Sequence, residues 1–137
     1  MGSITKKYSH LLLGYPPFSL FLTFITPFTP SGWGVINKSG NFIIKPDSVA
    51  IMPIDSNLFI IARRDESKTT MGLVNEEEEI IIPQTYKSIR PKNNYLEIED
   101  HYRKIGVCKL NGRITVPVEY DYIKYLDNDL LVVSKDN

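Results

Sequence analysis

The chain has 137 residues, enough for one domain with a buried core. Its 16 basic and 16 acidic side chains cancel, so no overall field recruits nucleic acid or an anionic membrane. The single cysteine, Cys108, excludes an internal disulfide and favours a reducing compartment such as the cytoplasm.

Near the start, Lys6 and Lys7 precede an apolar stretch from Leu11 to Ile25. The stretch is laid out like a secretion signal, but Pro16 and Pro17 break the run, Ser19, Thr23 and Thr26 dilute it, and no small-residue cleavage site follows. Met1-Gly2 would suit N-myristoylation, except that Lys6 stands where Ser or Thr is required. A buried strand is the expectation. Spacing supports it, because Leu20 precedes Gly34 by the interval at which Leu58 precedes Gly72, and Leu13 precedes Leu20 by the interval at which Ile51 precedes Leu58. Residues 1–32, and Leu13 to Phe24 in particular, are expected to form the worn back half of an earlier unit and to act as a cap.

From Gly34 onward one pattern occurs three times. Gly34, Ile51 and Leu58 recur at one constant offset as Gly72, Ile89 and Leu96, and at a second, slightly shorter constant offset as Gly106, Ile123 and Leu130. No insertion or deletion therefore falls between the glycine and the leucine of a unit. Repeat units are expected at 33–70, 71–104 and 105–137, all in one repeat domain. Each begins with a short apolar run, Val35-Ile36, Leu73-Val74 or Val107-Cys108, followed after a break by Phe42 to Ile44, Ile80 to Ile82 or Ile114 to Val116. Two such runs predict a tight hairpin. Gly40 and Gly112 stand where a type I turn closed by a left-handed residue needs positive φ, and Glu78 takes that place in the middle unit.

Pro83 and Pro117 lack a ladder N–H and are expected to end the second strand. A third strand is expected at the repeated leucine. Tyr95 to Glu99 alternates, with Leu96 and Ile98 on one face and Glu97 and Glu99 on a solvated one. Leu58 to Ala62 and Leu130 to Val133 are continuously apolar and should be covered on both faces, which makes Leu58, Leu96 and Leu130 equivalent buried positions. The expected fold is all-β: antiparallel β-hairpin repeats of three short strands per unit in an open curved array. A closed propeller-like or barrel-like arrangement is the alternative, and a propeller blade needs about four strands.

Chemistry is sparse in this pattern. Cys108 takes the place of Ile36 and Val74, so it reads as a small core residue, and His101 reads as a surface residue in a connection. His10, His101 and Cys108 lack zinc spacing, and Gly32-Trp33-Gly34 runs into a strand instead of opening a helix as a phosphate loop does. Glu76 to Glu79 reads as a solvated hairpin tip. No catalytic residue, metal site or cofactor is expected.

Tyr86 and Tyr120 hold equivalent repeat positions and read as packing residues. Recognition is expected instead from Tyr102, Tyr122 and Tyr125 with Arg63, Arg64 and Arg103, on connections at Arg63 to Thr70 and Asp100 to Lys104, since Tyr and Arg are common interface anchors. Edges at Leu20 to Phe24 and Leu130 to Lys135 offer self-association as an alternative. The expected role is a non-catalytic module that binds another macromolecule, a protein and not nucleic acid or membrane. A self-assembling structural protein is the second reading and an enzyme built on Cys108 and His101 the third.

The Trp33-Gly34 opening, Gly40, the Ile-Ile run, a proline and the close Tyr120-Asp121-Tyr122-Ile123 together resemble the bacterial WG repeat, also called the KWG repeat. The resemblance covers residues 33 to 137, and residues 8 to 32 by spacing. Met71 and Ile105 replace the Trp, and Ser48 replaces the Tyr of the first unit. Proteins similar to this are regarded as β-repeat modules, attached to other domains or standing alone, without a shared catalytic activity. The resemblance thus implies an all-β repeat fold and no particular chemistry.

Overall fold

The computed structural model describes residues 3–7, 32–127 and 129–136, the first five by backbone alone. Within them the chain is all-β and antiparallel. The strands are β1 (Ser3–Lys7), β2 (Trp33–Asn37), β3 (Phe42–Ser48), β4 (Ala50–Asp55), β5 (Leu58–Asp65), β6 (Lys68–Asn75) and β7 (Ile80–Tyr86), then β8 (Ser88–Lys92), β9 (Tyr95–Glu99), β10 (Ile105–Lys109), β11 (Ile114–Tyr120), β12 (Tyr122–Tyr125) and β13 (Leu131–Ser134). They form four sheets in an open arrangement, ordered β1-β2-β3, β4-β5-β6-β7, β8-β9-β10-β11 and β12-β13.

Each unit supplies four strands, not the expected three. The additional strand surrounds the repeated Ile51, Ile89 and Ile123, and it was hidden because Pro53 and Pro91 interrupt its apolar pattern. These prolines are tolerated because β4 and β8 are edge strands with an unused side. The same logic corrects the strand ends. β7 runs through Pro83 to Tyr86 and β11 through Pro117 to Tyr120, both at the outer edge of their sheets.

No unit closes a sheet by itself. The last two strands of one unit pair with the first two of the next, β5 with β6 and β9 with β10. Consecutive sheets meet at a one-residue corner, Val49, Lys87 or Asp121, whose N–H donates to the carbonyl of Ala62, Glu99 or Ser134 in turn. β1 occupies beside β2 the place that β5 has beside β6. The worn strand expected at Leu13 to Phe24 lies outside the described residues.

The repeated glycine is required by contact. At each first hairpin the ladder shifts register, Trp33 facing Ser48 but Val35 facing Ile44, so the second strand bulges against the first. A Cβ on Gly34 would lie 2.7 Å from the Ile44 carbonyl oxygen, and on Gly106 2.6 Å from that of Val116. The turns that follow are alike in all three units: Gly40, Glu78 and Gly112 have φ of 89°, 60° and 84°, and their N–H groups donate to the carbonyls of Asn37, Asn75 and Lys109. Glu78 therefore holds the conformation that glycine holds elsewhere.

Two cores lie between stacked sheets. Val35 and Ile44 of the first sheet meet Phe59, Ile61 and Val74 of the second. On its other face the second sheet packs Ile60, Leu73 and Ile82 against Ile89, Leu96, Ile98 and Cys108 of the third. Leu58, Leu96 and Leu130 are not equivalent. Opposite the repeated isoleucines stand Ile61, Ile98 and Val133, while Pro53 faces Phe59, Pro91 faces Leu96 and Tyr125 faces Leu131. An extra loop residue in the first unit, at the Pro53–Asp55 irregularity, and a longer turn in the third slide the leucine off register. The expectation that Leu130 to Val133 is covered on both faces also fails, since Leu130 is 60% exposed, Val132 49% and Val133 41%.

Leu96 is 0% exposed and Leu130 60%. Leu96→Ala should cost about 2–5 kcal/mol, and Leu130→Ala less than about 0.5 kcal/mol, in urea denaturation monitored by circular dichroism. Gly106→Ala should cost about 1–3 kcal/mol by the same measurement, since the bulged backbone of β11 has to move.

Candidate interaction surface

The first residue of the second strand in every unit is a large apolar side chain left in solvent. Phe42 is 42% exposed, Ile80 71% and Ile114 50%, at equivalent places on the outer edge strands β3, β7 and β11. They face Ile36, Val74 and Cys108 at the ladder end next to the turn. In the sequence each opens the second apolar run of its hairpin, with nothing in residue type to mark it as exposed. The signal that separates them is their place beside the polar turn.

The six residues expected to bind a partner are dispersed. Arg63 is on β5, where Nη2 lies 3.0 Å from Asp47 Oδ1 and Nη1 donates to Gln84 Oε1 at 3.0 Å, joining the first and second sheets. Arg64 is exposed next to it. The connection expected over Arg63 to Thr70 shrinks to Glu66-Ser67, because β5 and β6 pair to the Asp65–Lys68 rung. Asp100 to Lys104 is a tight turn: Asp100 Oδ1 accepts the N–H groups of Tyr102 and Lys104, and Arg103 takes φ of 67°. This holds Tyr102 outward, 86% exposed, beside exposed His101 and Arg103.

Tyr122 is exposed on β12. Tyr125, further along the same strand, is half-buried between the third and fourth sheets, with Lys92 Nζ 5.7 Å from its ring centre. Burial, reinforced by the neighbouring Glu97 carboxylate, pushes its hydroxyl far above the ordinary phenol range. Glu97 was expected on a solvated face. It is 8% exposed instead and is held by Arg90, with Nη2 2.8 Å from Glu97 Oε1. Arg90 also reaches Glu99 Oε2 at 3.1 Å, and Lys87 Nζ donates to Glu99 Oε1 at 2.9 Å.

Near Tyr125 lies a cavity of about 510 Å3, floored by Val107 and Val116 of the third sheet and walled by Tyr95, Leu126 and Leu131. A smaller one of about 240 Å3 runs between β3 and the second sheet, with Lys45, Asp47, Arg63 and Glu78 around Ile80. The Glu76 to Glu79 tip is exposed, and Glu78 Oε1 accepts the Lys45 N–H at 3.0 Å. Cys108 lies in the core between the second and third sheets, where burial pushes its thiol up to about 11. Its thiolate fraction near neutrality is correspondingly small. Among the described residues no group of three His, Cys, Asp or Glu is arranged to hold a metal.

Residues 33–65 and 105–137 match the family model of the WG containing repeat. These spans coincide with β2 to β5 and with β10 to β13, so each matched repeat is a four-stranded unit. No curated protein and no solved structure matches the chain.

The carboxyl of Glu99 is held below its ordinary value of 4.5, first by the hydrogen bond from Lys87 and then by the charges of Lys87 and Arg90, against a smaller rise from burial. A depressed folded value stabilises the protein above the ordinary value, and that contribution is lost as pH falls through the folded one. Stability measured by urea denaturation should therefore drop below pH 4.5, and Glu99→Gln should flatten that drop.

Proposed function

We propose that the chain is a non-catalytic β-repeat module that binds a protein partner along the row Phe42, Ile80 and Ile114. The row carries the reading: three units keep a large apolar side chain 42% to 71% exposed at the same position. Repetition turns one weak contact into three linked contacts, so a partner presenting apolar side chains at matching intervals gains avidity without any deep pocket. Tyr102 and Arg103 on their tight turn, with Arg64 and Tyr122, supply aromatic and cationic contacts to the same class of partner.

The balanced charge supports a protein ligand over a nucleic acid or an anionic membrane. A buried thiol and an exposed histidine in a separate turn support a role without chemistry.

The test is a photo-cross-linking amino acid at position 80, used to capture and identify a partner, followed by titration of that partner. Phe42→Ser, Ile80→Ser and Ile114→Ser combined should keep the circular dichroism spectrum and weaken binding by at least about tenfold, or about 1.4 kcal/mol. Unchanged affinity in that variant refutes the row, and loss only in Tyr102→Ala with Arg103→Ala moves the site to the turn.

A further inference from the structure

The first-hairpin turns of the second and third units touch the preceding unit in two different ways. Gly112 of the third unit lies so close to β7 that a Cβ on it would collide with the Ile81 carbonyl oxygen. Glu78 holds the same turn position in the second unit, also at positive φ, and does carry a Cβ. Its turn therefore stands further from β3 than the Gly112 turn stands from β7. The carboxylate spans the difference, with Oε1 accepting the Lys45 N–H at 3.0 Å. The joint between the second and third units has no such N–H to receive. Ile44 and Ile82 hold one ladder position, facing Val35 and Leu73, so the residue after them is Lys45 in one unit and Pro83 in the other. Glutamate with an N–H and glycine with a proline are thus two matched pairs, one for a spaced joint and one for a closed joint.

Behind the Glu78 spacer lies the cavity of about 240 Å3, floored by the buried Ile44, Ile61, Val74 and Ile82 and rimmed by Ile80. Polar groups that are already engaged close both ends: Glu78 with Lys45 at the turn, and Arg63 with Asp47 and Gln84 at the other. Between them the slot offers hydrocarbon. A cavity of roughly 150 Å3 lined by aliphatic and aromatic side chains is enough to admit benzene, so this one has room for a leucine side chain. At the mouth the exposed Lys45 ammonium has no ion pair among the described residues. It favours a carboxylate beside whatever enters.

We propose that this slot is the anchor pocket of the binding row, that it takes an aliphatic side chain of the protein partner flanked by a carboxylate, and that Glu78 is the positioning residue that keeps it open. Ile80 belongs to both the row and the slot, so the pocket rests on the reading of the row as a binding surface, and a partner that covers the row also covers the mouth of the slot. A left-handed backbone is unfavourable for glutamate, and the spaced joint is what that conformation provides.

The test needs no partner in hand. The full chain, labelled at its Ile, Leu and Val methyl groups, is titrated with N-acetyl-leucine amide and followed by NMR. Saturable shifts should gather at Ile44, Ile61, Val74 and Ile82. N-acetyl-Glu-Leu-amide should bind more tightly than N-acetyl-Lys-Leu-amide by about threefold, beside the charge of Lys45. Glu78→Gln keeps an acceptor for the Lys45 N–H and should leave the shifts in place. Lys45→Pro with Glu78→Gly copies the closed joint, so it should keep the dispersed spectrum of a folded chain and weaken the uncharged N-acetyl-leucine amide at least about tenfold. No saturable shift at these methyl groups in the unaltered chain overturns the pocket, and undiminished shifts in the double variant overturn the role of Glu78. Loss of the folded spectrum in the double variant overturns the two matched pairs, and equal binding of the two dipeptides overturns the flanking carboxylate. None of these results touches the row itself, which stands or falls with the combined serine variant.

Discussion

The ladder between the back half of one unit and the front half of the next, β5 with β6 and β9 with β10, is the interaction on which the other features depend. A two-stranded ribbon cannot bury both of its faces, and a single hairpin is marginal in water. Joined across the unit boundary, two hairpins make a four-stranded sheet whose faces both meet neighbours. The repeat in sequence and the sheet in space are therefore out of phase by half a unit. Stability then passes from unit to unit.

The bulge of each first hairpin explains why all three units keep the glycine while the aromatic beside it changes. Gly34, Gly72 and Gly106 sit under a bulged strand, where a Cβ would meet backbone, and backbone cannot rotate away. The neighbouring rung has only a volume requirement. Trp33 faces Ser48, Met71 faces Tyr86 and Ile105 faces Tyr120, so the aromatic side chain moves across the ladder from one strand to the other between units. A motif defined by Trp-Gly keeps its glycine for contact and its tryptophan for bulk, and bulk can be supplied from either side.

What was legible in the sequence followed from backbone constraint. The glycine spacing, the positive-φ turns and the alternation at Leu96 and Ile98 located three hairpins and the core of β9. What was lost concerned loop length and edges. Counting Leu58, Leu96 and Leu130 as one position assumed hairpin loops of equal length, and the loops of the first and third units are longer than that of the second. β4 and β8 escaped because an edge strand accepts proline and needs few apolar residues. The exposed Phe42, Ile80 and Ile114 were indistinguishable from core by type, since exposure depends on where the neighbouring sheet ends. The dispersed Arg63, Arg64, Tyr102, Arg103, Tyr122 and Tyr125 could be named by residue type, but only the fold puts Tyr102 in solvent and Tyr125 against Glu97.

The pair Glu97 and Tyr125 marks where the array changes character. Ile60 holds the position in the second sheet that Glu97 holds in the third, and Ile60 packs in a dry core of Leu73 and Ile82. Substituting a carboxylate there is unfavourable unless the charge is paired, and Arg90 on the adjacent strand supplies the pair directly across the ladder. The resulting interface with the fourth sheet is wetter and less tightly filled, with Tyr125 lying over the ion pair and a cavity beside it. The third sheet thus differs between its two faces: Leu96 and Ile98 pack in an apolar core against the second sheet, and Glu97 meets Arg90 and Tyr125 on the other.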